Sequence, residues 1–530
     1  MKEQSKLGTE SKPVAVVDLG ATFLRLTIAE KRAGKGICVL ERAEQSVAIG
    51  RDLVESRRIP KATTEQCVQI LGSFRMLLQE YAILPEAVRA VASDAVRMAE
   101  NSEAFLNRLS IASRILFRIL DPGQVGYYYH LAFRAIPDRQ ARWEKGGVAV
   151  MEIGGLTCGL LYRKGGEILF SQTYNAGSLR IRLQMESSGF GPMQLDDMAE
   201  GQTREMAIHL RQNIGEDEHV KLLLMGRELR FAAAKLLADG ANAYTGVSDV
   251  TKISVAELGR LVLKLKNHPV EEVTRSWGIS YPDAEILAPT LCMALSMVRT
   301  LKLKVVYVSN LSFSDGLLVE AVDDPAQTTA MMRHVVRIAH EIGEKYLYDA
   351  RHAAQVTDIA LTLFDLLKPE HGCTARHRLL LEVAALLHDI GVFVNARGHH
   401  KHAMYLIRNT ELIGLSLEET NLIALVARYH RKSMPQMSHL EYASLPHESR
   451  LIVCKLASIL RVADALDRVH DQSLGRLRFE LEPDALVCIP DSAIGTSAEQ
   501  VALGEKGDLF DLIYGRRCYV RSPHRAGLST

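Results

Sequence analysis

The chain has 530 residues, 47% of them hydrophobic and 24% charged, and its formal net charge is +1. This length exceeds what one hydrophobic core can support, so we expect three or four domains. The balanced charge excludes a general attraction to nucleic acid or to a membrane surface. The sequence contains no run of 18 or more apolar residues, so we predict no membrane-spanning helix. Segment 1–12 is polar, so we predict a disordered tail and not a signal peptide.

The eight cysteines are scattered along the chain, and none forms a C-x-x-C pair. This usage is typical of reduced, mostly buried thiols, so the expected compartment is the cytoplasm.

The first predicted elements are a strand from Pro13, a tight turn at Gly20, a second strand over residues 23–28 and a helix over residues 63–81. The stretch from Gly146 repeats this order of apolar strand, acidic residue, glycine turn and strand. Both copies carry acidic-x-Gly, first at Asp18 and then at Glu152. The repeat predicts two related α/β lobes, 13–130 and 131–325, that face each other across a cleft.

After residue 325 the apolar residues recur with a helical period. We therefore predict an all-helical domain over residues 326–471. Short alternating strands and a helix at "GDLFDLIYGRR" predict a small α+β domain over residues 472–530.

A strand that ends in acidic-x-Gly and turns back can bind phosphate. The glycine brings backbone N–H groups close to a phosphate, and the carboxylate can hold a metal ion or a water. Two such loops that face each other would form a phosphate clamp. Each loop taken alone is more simply explained as a β-hairpin with a glycine turn.

The loop and helix motifs resemble a known family. In chain order they are "VVDLGATFLRLTI", "ASDAVRMAEN", "MEIGGLTCGLL", "NAGSLRIRLQ", "LLLMGRELRFAA" and "VSNLSFSDGLLVE". They resemble landmarks of the exopolyphosphatase/guanosine pentaphosphatase (Ppx/GppA) family. The resemblance implies an actin-like (ASKHA, ribonuclease H-like) two-lobed fold, a homodimer, and hydrolysis of phosphoanhydrides in inorganic polyphosphate or in guanosine penta- or tetraphosphate. It assigns catalytic roles to Asp18 and Glu152 and phosphate binding to Gly20, Arg25, Arg97, Gly154, Gly155 and Thr157.

Several motif positions depart from the family pattern. The family's Ser-Asn-Ser is Ala21-Thr22-Phe23 here, Leu156 stands for a glycine, and Gly159 stands for a glutamate. The stretch that resembles the family's catalytic-glutamate segment, "ILDPGQVGYYYHL", contains no glutamate. Loss of a general base typically costs about 10²–10⁴ in rate. We therefore expect an eroded phosphate clamp in the N-terminal half.

A second candidate site lies in the helical region, where an apolar helix ends in His388-Asp389. Imidazole and carboxylate groups together bind divalent cations well. His352 and Asp464 lie on two other apolar helices, and the set resembles the H…HD…D pattern of HD-domain phosphohydrolases. We expect these four residues to hold a divalent metal (Mg, Mn, Fe or similar), with Asp389 bridging the metal and the attacking water.

Further polar residues follow this motif. His399, His400, His402 and His430 either complete a second metal site, for which His402 and His430 are the preferred ligands, or hydrogen-bond the first ligands. Lys401 and Arg428, with Arg431 and Lys432, either capture phosphate or form a solvated helix end.

Two functions remain open at this point. The chain is a Ppx/GppA-type phosphohydrolase with an intact HD metal site, or its N-terminal half only senses polyphosphate or a nucleotide while the HD domain alone hydrolyses. A scaffold with two vestigial sites is the third interpretation, and the complete H…HD…D set argues against it.

Overall fold

The computed structural model describes residues 12–32, 36–136, 143, 146–215, 220–238, 250–322, 325–431, 433–472, 474–491 and 496–521. Residues 1–11 of the predicted tail lie outside these ranges, and so does Lys432. The chain divides into two compact units, Met1–Gln327 and Thr328–Thr530. The finer domain boundaries near residues 130 and 472 stay predictions.

The first lobe of unit one is a five-stranded mixed sheet covered by helices. Its strands are β1 (Val14–Leu19), β2 (Phe23–Arg32), β3 (Gly36–Ser46), β4 (Arg89–Ala92) and β5 (Phe117–Ile119), in the order β3-β2-β1-β4-β5. Its helices are α1 (Ile49–Ser56), α2 (Lys61–Glu80), α3 (Asp94–Arg97), α4 (Ser102–Ser113) and α5 (Pro122–Arg134). The predicted strand–turn–strand and the helix near residues 63–81 are confirmed.

The second lobe repeats this plan with one strand more. Its strands are β6 (Val148–Ile153), β7 (Cys158–Lys164), β8 (Glu167–Tyr174), β9 (Lys221–Met225), β10 (Val250–Ser254) and β11 (Val305–Ser309), in the order β10-β11-β9-β6-β7-β8. Its helices are α6 (Ser178–Ser188), α7 (Leu195–Ile214), α8 (Arg227–Ala238), α9 (Val255–Lys266), α10 (Val270–Trp277), α11 (Tyr281–Thr300) and α12 (Phe313–Val322).

The predicted internal repeat is visible in the strand pairing. In each sheet the first strand pairs antiparallel with the second and parallel with a later one: β1 with β2 and β4, and β6 with β7 and β9. The central strands are buried on both faces, which accounts for runs such as "VAVV" and "VAVM". The two acidic-x-Gly turns therefore occupy equivalent places in the two sheets.

The two lobes share part of one hydrophobic core. Leu156 follows β6 and Leu179 lies on α6, yet both belong to the buried cluster built mainly from first-lobe residues. A Cβ atom at Gly50 of α1 would stand 2.7 Å from Leu179, which shows how closely the lobes approach at this point. The lobes of unit one are closed upon each other.

Unit two is mainly helical and ends in a small sheet. Its helices are α13 (Pro325–Lys345), α14 (Ala350–Leu366), α15 (Lys368–His371), α16 (Ala375–Leu387), α17 (His399–Arg408), α18 (Leu417–Arg428), α19 (Leu440–Ala443), α20 (His447–Ala465), α21 (Ser497–Lys506) and α22 (Asp508–Tyr514). Its strands are β12 (Leu477–Leu481), β13 (Ala485–Pro490) and β14 (Arg517–Val520), in the order β12-β13-β14. Within the described ranges, no helix combines the length and the apolar character that crossing a membrane requires.

Candidate functional site

The two glycine turns of unit one line a common cavity of about 90 Å³. The predicted residues that line it are Gly20, Arg25, Glu152, Gly154, Gly155 and Thr157. Pockets for drug-sized ligands typically measure about 300–1,000 Å³, so this volume suits a phosphate group and not a whole nucleotide.

The acidic residues of the two glycine turns, Asp18 and Glu152, both have raised pKa values because their carboxyl groups are desolvated. Asp18 is 1% exposed, its Oδ2 accepts a hydrogen bond from the Ser314 hydroxyl at 2.6 Å, and burial raises its pKa to about 6. Glu152 accepts the backbone N–H of Phe313 at 3.0 Å, and burial raises its pKa to about 8. At neutral pH Glu152 is therefore mostly protonated, which makes it a weak cation ligand in this state.

The arginines that line the cleft already contact carboxylates. Arg25 Nε lies 2.6 Å from Glu44 Oε2, and Arg227 pairs with the other oxygen of Glu44 and with Asp283. Burial alone would raise the pKa of Glu44, but Arg25 and Arg227 hold it below its ordinary value. Glu44 thus takes the place at both guanidinium groups that a phosphate would need.

Arg97 is not among the residues that line this cavity. Its Nη1 lies 2.6 Å from Asp121 Oδ1, and its Nη2 donates to the Leu120 carbonyl at 2.7 Å. Asp121 caps α5, which carries the "PGQVGYYYHL" part of the segment without a glutamate. The structure therefore places Arg97 against the start of α5, while the other predicted phosphate-binding residues of this half line the cavity.

Bulky side chains fill the eroded positions. The Phe23 ring packs 3.2 Å from the place of a Cβ at Gly20, and the Arg25 guanidinium stacks over that ring at 4.5 Å. The Tyr129 ring occupies the space beside Gly159, where a Cβ would meet it at 2.2 Å. Sequence reasoning missed Tyr129, although the loss of a side chain at Gly159 was a signal that a neighbour fills the space.

The second candidate site is a cluster of histidines and aspartates in unit two. His352 lies in the first turn of α14, His388 follows α16, and Asp464 is close to the end of α20. His399 begins α17 and His430 follows α18. Five helices thus converge on the cluster, because each buries an apolar face in the same core.

The Nδ1 atom of each of these four histidines faces an oxygen acceptor. His388, His399 and His430 each meet the carbonyl three residues earlier, at 2.7, 3.0 and 2.6 Å. His352 Nδ1 meets Asp467 Oδ2 at 2.8 Å. A neutral imidazole that donates through Nδ1 presents a lone pair at Nε2, the arrangement usual for histidine metal ligands.

The Nε2 atoms converge on two carboxylates. Asp389 Oδ1 lies 3.7 Å from His388 Nε2, 3.2 Å from His399 Nε2 and 3.6 Å from His430 Nε2. Asp464 Oδ1 lies 3.7 Å from His352 Nε2. Three groups bring their ligand atoms within 4.8 Å of one another: His352–His388–Asp464, Asp389–His399–His430 and His352–Asp389–His470.

These donors fit a divalent cation. The Nε2 atoms of His352 and His388 are buried and have no hydrogen-bond partner among the described residues. The Nε2 atoms of His399 and His430 lie 3.2 Å apart, a contact that needs a proton or a cation between two lone pairs. Nitrogen and carboxylate donors in this number suit first-row divalent metals.

The further sequence candidates divide into two sets. His430 joins a ligand group, but His402, one turn along α17, is in none of the three, and His399 stands beside Asp389 in its place. Lys401 is exposed on α17, and Arg428 contacts Glu441 at 3.3 Å. The cluster itself thus contains neither basic residue.

Three residues near the cluster had no sequence signal strong enough to predict them. Asp467 holds His352, His470 stacks on the His352 ring at 3.5 Å, and Lys506 pairs with Asp464. Asp467 lies three residues after Asp464, a helical spacing that could have suggested it.

Comparison with known proteins places the chain in a family. The model of the Ppx/GppA phosphatase family matches residues 27–324, more than half of the chain. The chain belongs to the Ppx/GppA phosphatase family. The model of domain III of Ppx/GppA phosphatases also matches, over residues 336–485.

Related Ppx/GppA proteins match over most of their length. A guanosine-5'-triphosphate,3'-diphosphate pyrophosphatase of Pseudoalteromonas atlantica is 20% identical over 88% of this chain and 89% of its own. The protein of the same name from Aeromonas hydrophila is 21% identical over 89% and 91%. The crystal structure of an exopolyphosphatase from Cytophaga hutchinsonii has a TM-score of 0.52 and 19% identity, and the match covers 59% of this chain and 99% of that one. This likeness confirms the predicted actin-like fold.

Proposed function

We propose that this Ppx/GppA family member is a metal-dependent phosphohydrolase whose reaction takes place at the histidine–aspartate cluster of an HD domain. The proposed substrates are phosphoanhydrides, namely inorganic polyphosphate or guanosine penta- or tetraphosphate, a class supported by the names of the relatives. In this proposal the N-terminal cleft binds phosphate without cleaving it.

One observation carries the proposal. The Nδ1 atoms of all four histidines face oxygen acceptors, and their Nε2 atoms converge on the carboxylates of Asp389 and Asp464. An ordinary buried histidine needs only one such partner and gains nothing from this convergence. The Nε2 atoms of His352 and His388 have no hydrogen-bond partner among the described residues, and the cost of burying them is removed when a cation binds.

Each residue then has a defined task. His352, His388 and Asp464 would hold one cation, and Asp389, His399 and His430 would hold a second. A bound divalent cation supplies charge neutralisation at the phosphoryl oxygens. Asp389 Oδ1 is placed to accept a hydrogen bond from the attacking water and to orient it. Lys401 is exposed nearby in the chain and is the better candidate for contact with substrate phosphate, because Arg428 contacts Glu441.

The paired arginines of unit one favour a binding role for its cleft. Phosphoryl transfer needs an oriented water and positive charge at the transferred group. Arg25 and Arg227 already contact Glu44, and α5 supplies a tyrosine where the family pattern has a glutamate segment. A polyphosphate that displaced Glu44 would gain both guanidinium groups.

Catalysis in the N-terminal cleft is the second candidate function. The raised pKa of Glu152, about 8, favours it, because a carboxyl group that is protonated at neutral pH can act as a general acid. Asp18 would then be the second catalytic carboxylate, with Gly20, Gly154, Gly155 and Thr157 binding phosphate. A homodimer in the cytoplasm stays a proposal under either function.

Two measurements test these proposals. The first is elemental analysis of the purified protein, and the second is phosphate release from polyphosphate and guanosine pentaphosphate, with and without chelator. We expect bound metal and chelator-sensitive release, both lost in Asp389→Ala. Asp358→Ala on the exposed side of α14 is the matched control and keeps both. Release that survives Asp389→Ala but is lost in Glu152→Gln would refute the proposal and establish the second candidate.

A further inference from the structure

The C-terminal segment of unit two contributes a buried lysine to the metal cluster. Lys506 is the last residue of α21 and is 5% exposed. Its Nζ contacts Oδ2 of Asp464, 42 residues earlier in the chain. The other oxygen of the same carboxylate, Oδ1, is the one that faces His352 Nε2 at 3.7 Å. The two oxygens of Asp464 are thus divided between the lysine and the histidine ligands.

The backbone of Lys506 is held as firmly as its side chain. Arg461 lies one turn before Asp464 on α20 and is completely buried. Its Nε donates to the Lys506 carbonyl at 2.7 Å, and its guanidinium also contacts Asp508 at the start of α22. Leu503 and Phe510 are buried on either side of this junction. Two residues of α20 therefore hold Lys506: Arg461 binds its backbone carbonyl and Asp464 binds its ammonium group.

Stability alone gives a poor reason for this pair. Replacing a buried ion pair with apolar residues is often neutral or stabilising, because both charges lose their hydration. A pair that includes a candidate metal ligand is better explained by what it does to that ligand.

We propose that Lys506 is a positioning residue of the metal site: it holds Oδ2 of Asp464 so that Oδ1 is presented to the cation beside His352 and His388. The inference rests on the proposed function, since it needs the cation. Carboxylate ligands are usually held by a hydrogen-bond donor, and loss of such partners typically costs about 10–100-fold in metal affinity or activity.

The lysine also sets the charge of the site. Asp389 and Asp464 carry two negative charges, and Lys506 returns one positive charge. Asp467, which contacts His352, adds a third negative charge. The positive charge of Lys506 offsets part of this, so the site repels a phosphate anion less than the three carboxylates would without the lysine. The C-terminal segment therefore belongs to the metal site and is more than a cover for the helical core.

Mn²⁺ titration into the chelator-treated full-length protein tests the inference. Lys506→Met should weaken Mn²⁺ binding about 10–100-fold. Lys506→Arg, which keeps the charge, should restore most of the affinity. Lys455→Met is the matched control, because Lys455 lies on α20 and donates instead to the His371 carbonyl at 2.8 Å. It should bind Mn²⁺ like the wild type.

The inference is overturned if Lys506→Met binds Mn²⁺ as tightly as the wild type and only its melting temperature falls. If that variant does not fold, Lys506→Leu decides, since it also removes both the donor and the charge: unchanged Mn²⁺ affinity refutes the role and weaker binding supports it. Failure of the proposed function would be seen earlier, as a wild-type protein that binds no Mn²⁺ or an Asp389→Ala variant that binds it fully.

Discussion

The two candidate sites of this protein differ in whether their polar and charged atoms already have a partner within the protein. In the N-terminal cleft, Arg25 and Arg227 already contact Glu44, and buried Glu152 holds a proton at neutral pH. In the histidine cluster, the Nε2 atoms of His352 and His388 have no hydrogen-bond partner within the described ranges. A motif shows that a fold has been kept, whereas the availability of the donor atoms shows where chemistry can still take place.

Removal of a histidine ligand should give the largest effect. His388→Ala deletes a buried lone pair of the cluster, so we expect metal loss and a fall in turnover beyond the roughly 100-fold typical of an outer partner. Elemental analysis and phosphate release measure both. His447→Ala, an exposed histidine at the start of α20, should change neither. A fully active His388→Ala protein would remove the distinction between the two sites.

Asp467→Ala should have a smaller effect at the same site. Asp467 fixes His352 through Nδ1, and its loss lets the ring rotate or change tautomer. We expect metal affinity or turnover to fall about 10–100-fold. Metal titration and steady-state kinetics give the values. An effect as large as that of His388→Ala would mean that Asp467 is itself a ligand.

The raised pKa of the Glu152 carboxyl should make the stability of the protein depend on pH. The folded-state pKa of Glu152 is raised to about 8, so its contribution to stability is complete below its ordinary pKa and is lost as pH rises towards 8. Glu152→Gln should lose this dependence and unfold with up to about 2 kcal/mol less variation between pH 6 and pH 8.

Urea unfolding followed by tryptophan fluorescence measures this effect in the full-length protein, because Trp143 and Trp277 both belong to unit one. Glu86→Gln, at an exposed position, is the control. If Glu152→Gln keeps the wild-type pH dependence, the cleft carboxyl is ionised and the cleft resembles a working site more closely than we infer.

Glu44→Gln should give the smallest effect and the opposite sign. It removes the charge that occupies Arg25 and Arg227, so phosphate binding in the cleft should become stronger by about tenfold, or 1.4 kcal/mol. Calorimetric titration with short polyphosphate detects it. Glu41→Gln on the same strand is the control. Weaker binding would show that Glu44 supports the anion site.

The sequence predicted much of the fold because the deciding signals are local. The turn at Gly20 and the apolar strands around it identify the first hairpin, and His388-Asp389 marks the end of an apolar helix. Contacts between distant segments left no such signal. Lys506 reaches Asp464 only because α21 packs on α20, and Arg97 meets Asp121 and not the cleft. Such partners depend on tertiary packing that no local period encodes.

The insertion of Leu156 and Leu179 into the first-lobe core has a consequence for kinetics. Swinging the lobes apart would expose both side chains, at about 1.5–3 kcal/mol each. A total of about 3–6 kcal/mol limits the open form to below about 1% of molecules. A ligand whose entry requires the lobes to separate should therefore bind slowly, even where the final complex is tight.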